Sequence, residues 1–456
     1  MKKIDLACLL LCCSVACDVP TEDSVPEGEA GTKVAEDGTE ASESRRLRNV
    51  DAGVPDARTG AVTWEYAGEV EDRAPRNYES TWRFEPPEES VEANVDVAEL
   101  LRDSIRVDVE GRMWRFKSLD RGSLQKKLRA SYQAQLEAGF DPHELVDPDT
   151  EADEYNLPSP ASERAQDDST PWLPLAWSSQ TCPDGNSLTT WDGDGRIRIN
   201  RSTLDGRRSS VVVVASYDPG TLTTSANCTG VLVGRSWVLT AAHCVADDNG
   251  IEDPPSFIRV AAGGGDHPNP QIPPFYTNFD GWYGVQSVIV PSQYNGSSIN
   301  RDYALLELGT QMNPATADVM RFSAASQNTW AASTPHNISY PGYGPNCANN
   351  TFPGSTMVNT PSGPVLISQF RQRAYRQHPV GGVNFVSSNK IGTNLDSVGG
   401  QSGSAIFRCG GGTCENGETA WIMGLMTSRF YSNFRWHNGG PNANQFRDWA
   451  EALIDD

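Results

Sequence analysis

Residues 229–245 read TGVLVGRSWVLTAAHCV, and this stretch decides the fold class. Its two apolar runs, TGVLVG and SWVLTAA, are separated by one arginine, and each is too short to be a typical helix. Valine, leucine and small residues predominate, which is typical of buried β-strands. His243 and Cys244 follow the second run directly. The stretch therefore predicts two neighbouring strands with a histidine at the end of the second.

Similar short runs recur on both sides of this stretch, separated by Gly, Pro and Asn: VVVVAS (211–216), GVQSVIV (284–290), YALLEL (303–308) and AWIMGLM (420–426). A comparable helical pattern comes only at NQFRDWAEALI (444–454), where Phe446, Trp449, Ala450 and Leu453 share one face. Many strands followed by one C-terminal helix predict an all-β fold built from a pair of β-barrels.

A second stretch, DSVGGQSGSAIF (396–407), places Ser402 among glycines and small residues. Acyl transfer by a serine needs a nearby base, a carboxylate that fixes the tautomer of the base, and two N–H donors for the oxyanion. Gly399 and Gly400 permit a sharp turn in which the amides of Gly400 and Ser402 point the same way. Ser402 alone could equally be a hydroxyl in a flexible loop.

The other two groups lie upstream in the order that a triad requires. His243 ends the strand of the opening stretch, and Asp302 precedes the apolar strand YALLEL. Taken singly, the histidine is more simply a strand-end residue and the aspartate a turn residue. Their conjunction with Ser402 favours nucleophilic catalysis.

The strings TAAHC, DYALL and GGQSGSA resemble those of the chymotrypsin-like serine proteases, whose triad follows the same order on a double β-barrel. GGQSGSA, and less specifically DGRIRINRST (194–203), are similar to the bacterial glutamyl-endopeptidase branch. The resemblance covers 185–456. It implies that His243 is the general base, that Asp302 orients it, that Ser402 attacks, and that the amides of Gly400 and Ser402 form the oxyanion hole.

Three residues depart from the pattern of this family or leave its specificity and activation open. Gln401 stands where trypsin-like enzymes carry the aspartate that pairs with a newly freed N-terminus, so that mode of activation is not expected. Asp396 lies six residues before Ser402, the register of a carboxylate that selects Lys or Arg. Met426 replaces the histidine of glutamate-specific members. We therefore expect a specificity pocket that involves Asp396 and Met426. Basic or undetermined specificity is slightly favoured, and a turn aspartate that faces away from the pocket stays open for Asp396.

Two other function classes compete with this interpretation. The string GQSGS is one residue away from the G-x-S-x-G motif of α/β-hydrolases, but that fold needs Asp and His after the serine, and only His437 follows. A catalytically silent protease-fold binding module at the cell surface is the second alternative. Non-enzymatic relatives generally lose a triad residue, whereas all three are present here.

The N-terminal third differs in composition. Residues 18–170 hold 37 acidic and 18 basic residues, a net charge of −19 out of −22 for the chain. This balance, and the lack of a basic cluster in the rest of the chain, disfavour nucleic-acid binding. The start, MKKIDLACLLLCCSVAC, predicts a secretion signal (1–17) whose apolar run is too short to span a bilayer. Two cleavage modes stay open: lipidation of Cys17, or ordinary cleavage after Ala16.

After the signal, 18–60 predicts a disordered acidic tether. Residues 61–140 predict a small α+β pro-region, with a hairpin around Glu110-Gly111 and a helix capped by Ser123 and stopped by Gly139. Residues 141–184 predict an exposed linker with a processing site. We expect 18–170 to inhibit the enzyme or help it fold, and to be removed by a cut between about 165 and 191, releasing the protease domain at 185–456.

Six cysteines lie outside the signal, an even number in an oxidising compartment. Cys228–Cys244 would connect the loop of His243 to the preceding strand, Cys409–Cys414 would close a short hairpin tip, and Cys182–Cys347 remains by elimination, with intermolecular pairing left open. Because these cysteines are not clustered with other ligands, neither a structural metal nor a cofactor is expected. The expected partners are a protein or peptide substrate and the pro-region itself.

Overall fold

The computed structural model describes part of the chain. The described residues are 54–69, 84–85, 96–149, 177–181, 187–191, 196–198, 210–218, 223–247, 250–251, 255–262, 281–291, 294, 296, 298–313, 318–340, 356–360, 363–367, 375–377, 383–397, 399–409, 419–432 and 435–455. The signal, most of the acidic tether and most of the linker lie outside them. No helix among these residues is long and apolar enough to cross a bilayer.

Residues 54–69 and 96–149 form what we call the N-terminal module. Its hairpin turns at Gly111, whose φ of +78° suits glycine, and this agrees with the hairpin predicted around Glu110-Gly111. The elements before residue 140 are β1 (Ala57–Thr59), β2 (Val62–Glu69), β3 (Phe84–Glu85, outside the module), α1 (Val97–Arg102), β4 (Ser104–Asp108), β5 (Arg112–Leu119) and α2 (Arg121–Glu137). The strands of the module are ordered β1-β2-β5-β4, all antiparallel.

The next strands form a closed barrel, which we call the first barrel. The strands of this part of the chain are β6 (Trp177–Thr181), β7 (Ser187–Trp191), β8 (Arg196–Arg198), β9 (Val211–Asp218), β10 (Thr223–Gly234), β11 (Trp237–Thr240), β12 (Ala246–Asp247), β13 (Gly250–Ile251), β14 (Ile258–Ala262), β15 (Gly281–Pro291) and β16 (Ala304–Leu308). The six strands of the barrel pair in the cyclic order β9-β14-β15-β16-β11-β10, all antiparallel. Valines and leucines of β9, β10 and β11 are buried, and alternate residues belong to two different hydrophobic clusters, because successive side chains of a strand point to opposite faces.

The described residues from 177 to 455 contain the expected triad, and we call them the catalytic region. The elements of its second half are β17 (Arg321–Phe322), α3 (Gln327–Ala332), β18 (His336–Ser339), β19 (Thr356–Thr360), β20 (Gly363–Ile367), β21 (Tyr375–Gln377), β22 (Val383–Val386), β23 (Lys390–Thr393), β24 (Ser404–Cys409), β25 (Ala420–Met426), β26 (Ser428–Ser432), β27 (Arg435–Pro441) and α4 (Ala443–Leu453). This half contains two more sheets, ordered β17-β25-β24-β18-β21-β8 and β22-β23-β27-β26-β3. Together with the first barrel and the helix at the end of the chain, they agree with the predicted all-β, chymotrypsin-like class.

The C-terminal helix α4 lies where the sequence predicted it, and it is buried on more than one face. Phe446 and Trp449 pack against Tyr303 of the first-barrel region, with ring centroids 5.6 and 5.1 Å apart. Ala452, outside the predicted apolar face, is also fully buried. Its carbonyl accepts a hydrogen bond of 2.8 Å from the amide of Ala61 in the N-terminal module. The module therefore covers a part of α4 that periodicity alone assigned to solvent.

Several element boundaries differ from those expected. Helix α2 begins earlier than predicted, because Asp120 rather than Ser123 is its N-cap and accepts from the Ser123 amide. Strand β1 falls inside the expected tether, since Ala57–Thr59 pairs with β2. The start of the expected linker is also ordered: the amide of Val146 donates to the carbonyl of Ala324, 2.8 Å away, on the catalytic region. Composition missed the contact of Val146 because its partner, Ala324, is distant in sequence.

The interface of α2 and α4 gives one stability prediction. Burial raises the pKa of Glu451 from 4.5 to about 7, although the nearby charges of Lys127 and Arg447 lower it. A raised carboxyl pKa means that ionisation of Glu451 opposes folding. The resulting loss of folding free energy is absent below pH 4.5 and grows up to about pH 7. We expect Glu451→Gln to raise the free energy of unfolding at pH 8 by roughly 1–3 kcal/mol.

Urea denaturation of both proteins between pH 4 and pH 8 measures this effect. The variant and the parent should be equally stable near pH 4. Glu137→Gln, a change at the exposed end of α2, is the control and should leave the pH profile unaltered. A Glu451→Gln variant that is less stable than the parent at pH 8 would contradict the assignment.

Candidate active site

His243 and Asp302 are joined by two hydrogen bonds. The Asp302 carboxylate accepts from the backbone amide of His243 at 2.9 Å through Oδ1, and its Oδ2 lies 2.7 Å from Nδ1 of the ring. Asp302 is buried and the His243 side chain is about one quarter exposed. A buried carboxylate beside Nδ1 favours the tautomer that carries its proton there, which leaves Nε2 free to accept a proton. The pair thus has the geometry of an oriented general base.

Two different elements hold this pair. His243 lies in a single 3₁₀ turn, Ala242–Cys244, directly after β11. Asp302 ends a second such turn, Ile299–Arg301, just before β16. Strands β11 and β16 are antiparallel neighbours in which Thr240 pairs with Ala304. The barrel register therefore brings together two residues that are 59 positions apart in sequence.

The turn that contains Ser402 is held against β10 by Thr229. The hydroxyl of Thr229 donates to the carbonyl of Gly400, 2.8 Å away, and its amide donates to the carbonyl of Ser402 at the same distance. Sequence reasoning did not single out Thr229. Its position next to Cys228 was the only signal, and its partners lie more than 170 residues away in the chain.

Gly403 fixes the separation between this turn and the strand that leads to His243. Its φ is +83°, and a Cβ added there would overlap the Thr229 carbonyl and the Thr240 hydroxyl and lie 2.7 Å from the Ala241 amide. Thr240 in turn donates to the Thr229 carbonyl at 2.8 Å. A residue with a side chain cannot adopt this backbone and fit this space without strain.

We expect Gly403→Ala to destabilise the protein by about 3 kcal/mol or more, because both the positive φ and the backbone overlap oppose it. Urea denaturation measures the loss. Gly284→Ala is the matched control, since a Cβ there would be 3.9 Å from the nearest atom, the guanidinium of Arg259. Equal stability of the two variants would show that the close approach is not needed.

The amides of the Ser402 turn divide into two groups. Those of Gly403 and Ser404 donate to the carbonyls of Met426 and Gln401. Within the described part of the chain, those of Gly400 and Ser402 donate to no backbone carbonyl. Gly400 has a φ of +96°. Unused donors on one turn are what an oxyanion site requires.

The Ser402 hydroxyl is buried, and no hydrogen bond joins it to the His243 ring among the described residues. Bonds of this kind are often long in enzymes without substrate. Cys228 and Cys244 form a disulfide, the pair that the sequence suggested, and the Cys244 sulfur lies 4.0 Å from the Ser402 carbonyl. The disulfide therefore connects the loop of His243 to β10, and its Cys244 sulfur lies beside the turn of Ser402.

The same disulfide bears on metal binding. The ligand atoms of Cys228, His243 and Cys244 lie within 4.8 Å of one another, a spacing that could suit a metal ion. Because both sulfurs are in the disulfide, neither is available as a thiolate ligand. Cys409 is also disulfide-bonded. Cys182, Cys347 and Cys414 lie outside the described residues.

The residues expected to set specificity are all buried. Asp396 is 5% exposed, and Met426 is completely enclosed in the hydrophobic core. Gln401 is also fully buried and donates to the Ser339 hydroxyl at 2.8 Å, so it has a structural partner in place of a new N-terminus. Arg429, which sequence reasoning did not single out, is 8% exposed on β26, and burial lowers its pKa to about 10.

Strand β26 begins beside the Ser402 turn. The Gly403 amide donates to the carbonyl of Met426, two residues before β26. One edge of β26 pairs with β27, and the other pairs in parallel with β3, where Arg429 is opposite Phe84 and Phe430 is opposite Glu85. Among the described strands, β3 alone covers this second edge. Strand β3, a segment from the N-terminal third, thus pairs with a strand that begins beside the Ser402 turn.

Comparisons with known proteins show which proteins this chain is similar to. Residues 205–420 match the family model described as Trypsin. A segment of 86 residues, 19% of this chain, is 37% identical to 12% of coagulation factor XI of Bos taurus. A segment of 146 residues, 26% of this chain, is 29% identical to 38% of serine protease 23 of Mus musculus. The chain therefore spans well under half the length of either relative.

A solved structure described as "Structure of Glu endopeptidase in complex with MPD" also matches this chain. Its sequence is 19% identical to this one, and the TM-score is 0.37. The match covers 57% of this chain and 97% of that one.

Proposed function

We propose that this chain, which contains a trypsin-like serine protease domain, is a secreted serine endopeptidase made as a precursor. The observation that carries the proposal is the His243–Asp302 pair, buried at its carboxylate end and held beside the Ser402 turn. The silent binding module remains the alternative, and no feature of the site favours it. Labelling of Ser402 by a fluorophosphonate probe tests the proposal.

In the proposed mechanism, Nε2 of His243 takes the Ser402 hydroxyl proton as Oγ attacks the scissile carbonyl. The Gly400 and Ser402 amides donate to the oxyanion that forms. Protonated His243 then gives its proton to the leaving amine, and an acyl-enzyme results. Water activated by His243 hydrolyses this ester and restores the Ser402 hydroxyl. Asp302 keeps the proton on Nδ1 throughout and stabilises the imidazolium.

For specificity, we propose a preference for Lys or Arg before the scissile bond. Support comes from Asp396, a buried carboxylate six residues from Ser402, because a carboxylate in a closed site favours a cation. Arg429 has the opposite charge and would favour an acidic residue. Chromogenic peptides that differ only at the scissile position discriminate basic from acidic specificity. The kcat/KM for the Arg peptide should exceed that for the Glu peptide by about 100-fold, and Asp396→Asn should remove this preference. Faster cleavage after Glu would exclude basic specificity.

We also propose that the N-terminal third inhibits the site, as the precursor organisation suggests. Support comes from β3, because an extended peptide substrate adds to an exposed strand edge, and β3 occupies the β26 edge. A two-residue pairing holds about two hydrogen bonds, each contributing about 0.5–1.5 kcal/mol. Because β3 would occupy the edge that the substrate needs, the inhibition is competitive, and about 1–3 kcal/mol raises KM by roughly 5- to 150-fold.

A pair of double variants in the intact chain tests this inhibition. Phe84→Pro with Glu85→Pro removes both backbone donors of β3, whereas Phe84→Ala with Glu85→Ala keeps them. We expect the proline pair to lower KM for a peptide substrate by about 5-fold or more, with kcat unchanged, relative to the alanine pair. An equal KM in the two variants would exclude inhibition by β3.

Localisation is proposed from the sequence alone. The chain is expected to leave the cytoplasm, either free or held through lipid on Cys17, and to be cut between about 165 and 191. N-terminal sequencing and mass spectrometry of the extracellular form separate these cases, because a lipid on Cys17 adds a mass that cleavage after Ala16 does not. An extracellular form that remains uncut between residues 165 and 191 would contradict maturation in the linker.

A further inference from the structure

The N-terminal module and the first barrel share one continuous sheet. Strand β4 pairs with β15 in an antiparallel ladder that extends from Asp108 opposite Ser287 to Ser104 opposite Pro291. The same stretch of β15 pairs with β16 on its other side. Without the module, this part of β15 would be an unpaired strand edge, which folded proteins generally cover.

Helix α4 is the second shared element. The indole N–H of Trp449 donates to the hydroxyl of Ser104 at 2.8 Å, and both residues are buried. Gly60 approaches the helix so closely that a Cβ there would lie 2.6 Å from the Ala452 carbonyl and 2.7 Å from that of Leu453. The end of α4 is therefore closely packed against the module.

A third contact joins the end of the module to the second half of the catalytic region. Phe140 packs edge-on against Trp421, with ring centroids 5.7 Å apart, and the Arg408 guanidinium lies 4.2 Å above the Phe140 ring. The buried amide side chain of Gln135 accepts from the Ala324 amide at 2.9 Å. Separation of the two parts would leave these aromatic and polar groups exposed or without partners.

One ion pair at the interface is mostly enclosed. Arg106 of β4 lies 3.0 Å from Glu307 of β16, and their side chains are only 11% and 22% exposed. The Ser287 hydroxyl donates to the same carboxylate oxygen at 2.6 Å. Removing one partner of an enclosed pair is costly, because the other charge remains buried.

From these contacts we infer that the N-terminal module is a permanent part of the protein, which stays bound to the catalytic region after the linker is cut. The mature protein is then a complex of two chains, in which the partner of the catalytic region is its own residues 54–149. Interfaces that combine a strand ladder, buried tryptophans and an enclosed ion pair are typical of obligate complexes. A linker cut alone therefore leaves β3 attached to the module and able to pair with β26.

The test uses the full chain with Ser402→Ala and a recognition site for a sequence-specific protease inserted within residues 151–176. After cleavage, both fragments should co-elute in size-exclusion chromatography at about 1 μM, also in 1 M NaCl, and should separate only in urea. Elution of the module alone in native buffer would overturn the inference. Since this variant lacks the proposed nucleophile, the result is independent of the proposed activity.

Matched glycine variants test whether the interface holds the fragments together. Gly60 and Gly139 both have a positive φ, of +57° and +86°, but a Cβ at Gly139 meets no atom within 4 Å. In the cut protein, Gly60→Ala should raise the dissociation rate at least tenfold and Gly139→Ala should not. If Gly60→Ala does not fold, Arg106→Gln serves instead and should also speed dissociation. Equal rates in the interface and control variants would overturn the inference.

Discussion

Replacement of Ser402 by alanine is expected to lower kcat for a peptide substrate by on the order of 10⁵- to 10⁶-fold, without loss of the fold. The hydroxyl is the proposed nucleophile, and water cannot replace it in forming an acyl-enzyme. Structural consequences should be small, because among the described residues no hydrogen bond of the Ser402 side chain would be broken. The measurement combines steady-state kinetics with fluorophosphonate labelling and a thermal denaturation curve.

Ser404→Ala is the matched control. Ser404 is a buried serine two residues further along, and its hydroxyl accepts from the amide side chain of Asn337 at 2.8 Å. Its loss should lower stability by about 1 kcal/mol while labelling of Ser402 continues. Labelling that persists in Ser402→Ala, or that is absent from the processed parent protein, would exclude the proposed enzyme and favour a silent binding module.

Asp302→Asn should lower kcat by about 10⁴-fold at neutral pH. Asparagine has nearly the same shape, but its side chain cannot hold a proton on Nδ1 by charge, and its NH₂ group favours the opposite tautomer. Nε2 would then carry the proton and could not accept one from Ser402. Because Asp302 also accepts from the His243 amide, we expect stability to fall by about 1–3 kcal/mol as well.

Two measurements separate these effects. Kinetics at a temperature well below the unfolding transition report on catalysis, and urea denaturation reports on stability. Glu307→Gln is the control, since it neutralises another enclosed carboxylate, at the interface with Arg106, and should alter stability with little change in kcat. A loss in kcat for Asp302→Asn below about tenfold would remove Asp302 from its proposed role.

Much of the fold followed from local pattern. Runs of valine and leucine bounded by Gly, Pro and Asn predicted the strands of the first barrel, because such runs can be buried only in a covered sheet. The 3.6-residue period predicted α4, and Glu110-Gly111 predicted the hairpin of the module. The exact caps did not follow, since Asp120 and Ser123 are equally suitable residues for an N-cap.

The residues of the site also divide into those that the sequence predicted and those that only the tertiary structure identified. The order His243, Asp302, Ser402, with their flanking strings, predicted the candidate triad, and the even number of cysteines suggested the disulfide beside it. Only the tertiary structure identified Thr229 as the residue that holds the Ser402 turn, and Gly403 as the point of closest approach. Their partners are set by strand register, which depends on contacts between distant segments.

The sequence by itself determined the class of fold, the candidate nucleophile and its helpers, and the acidic character of the N-terminal third. The tertiary structure decided that part of this third completes the sheet of the first barrel and covers α4. Composition could not predict this, because Ala61, Ser104 and Phe140 are unremarkable residues in their own segments. Their role comes from long-range pairing and burial, which become visible only when both segments are folded together.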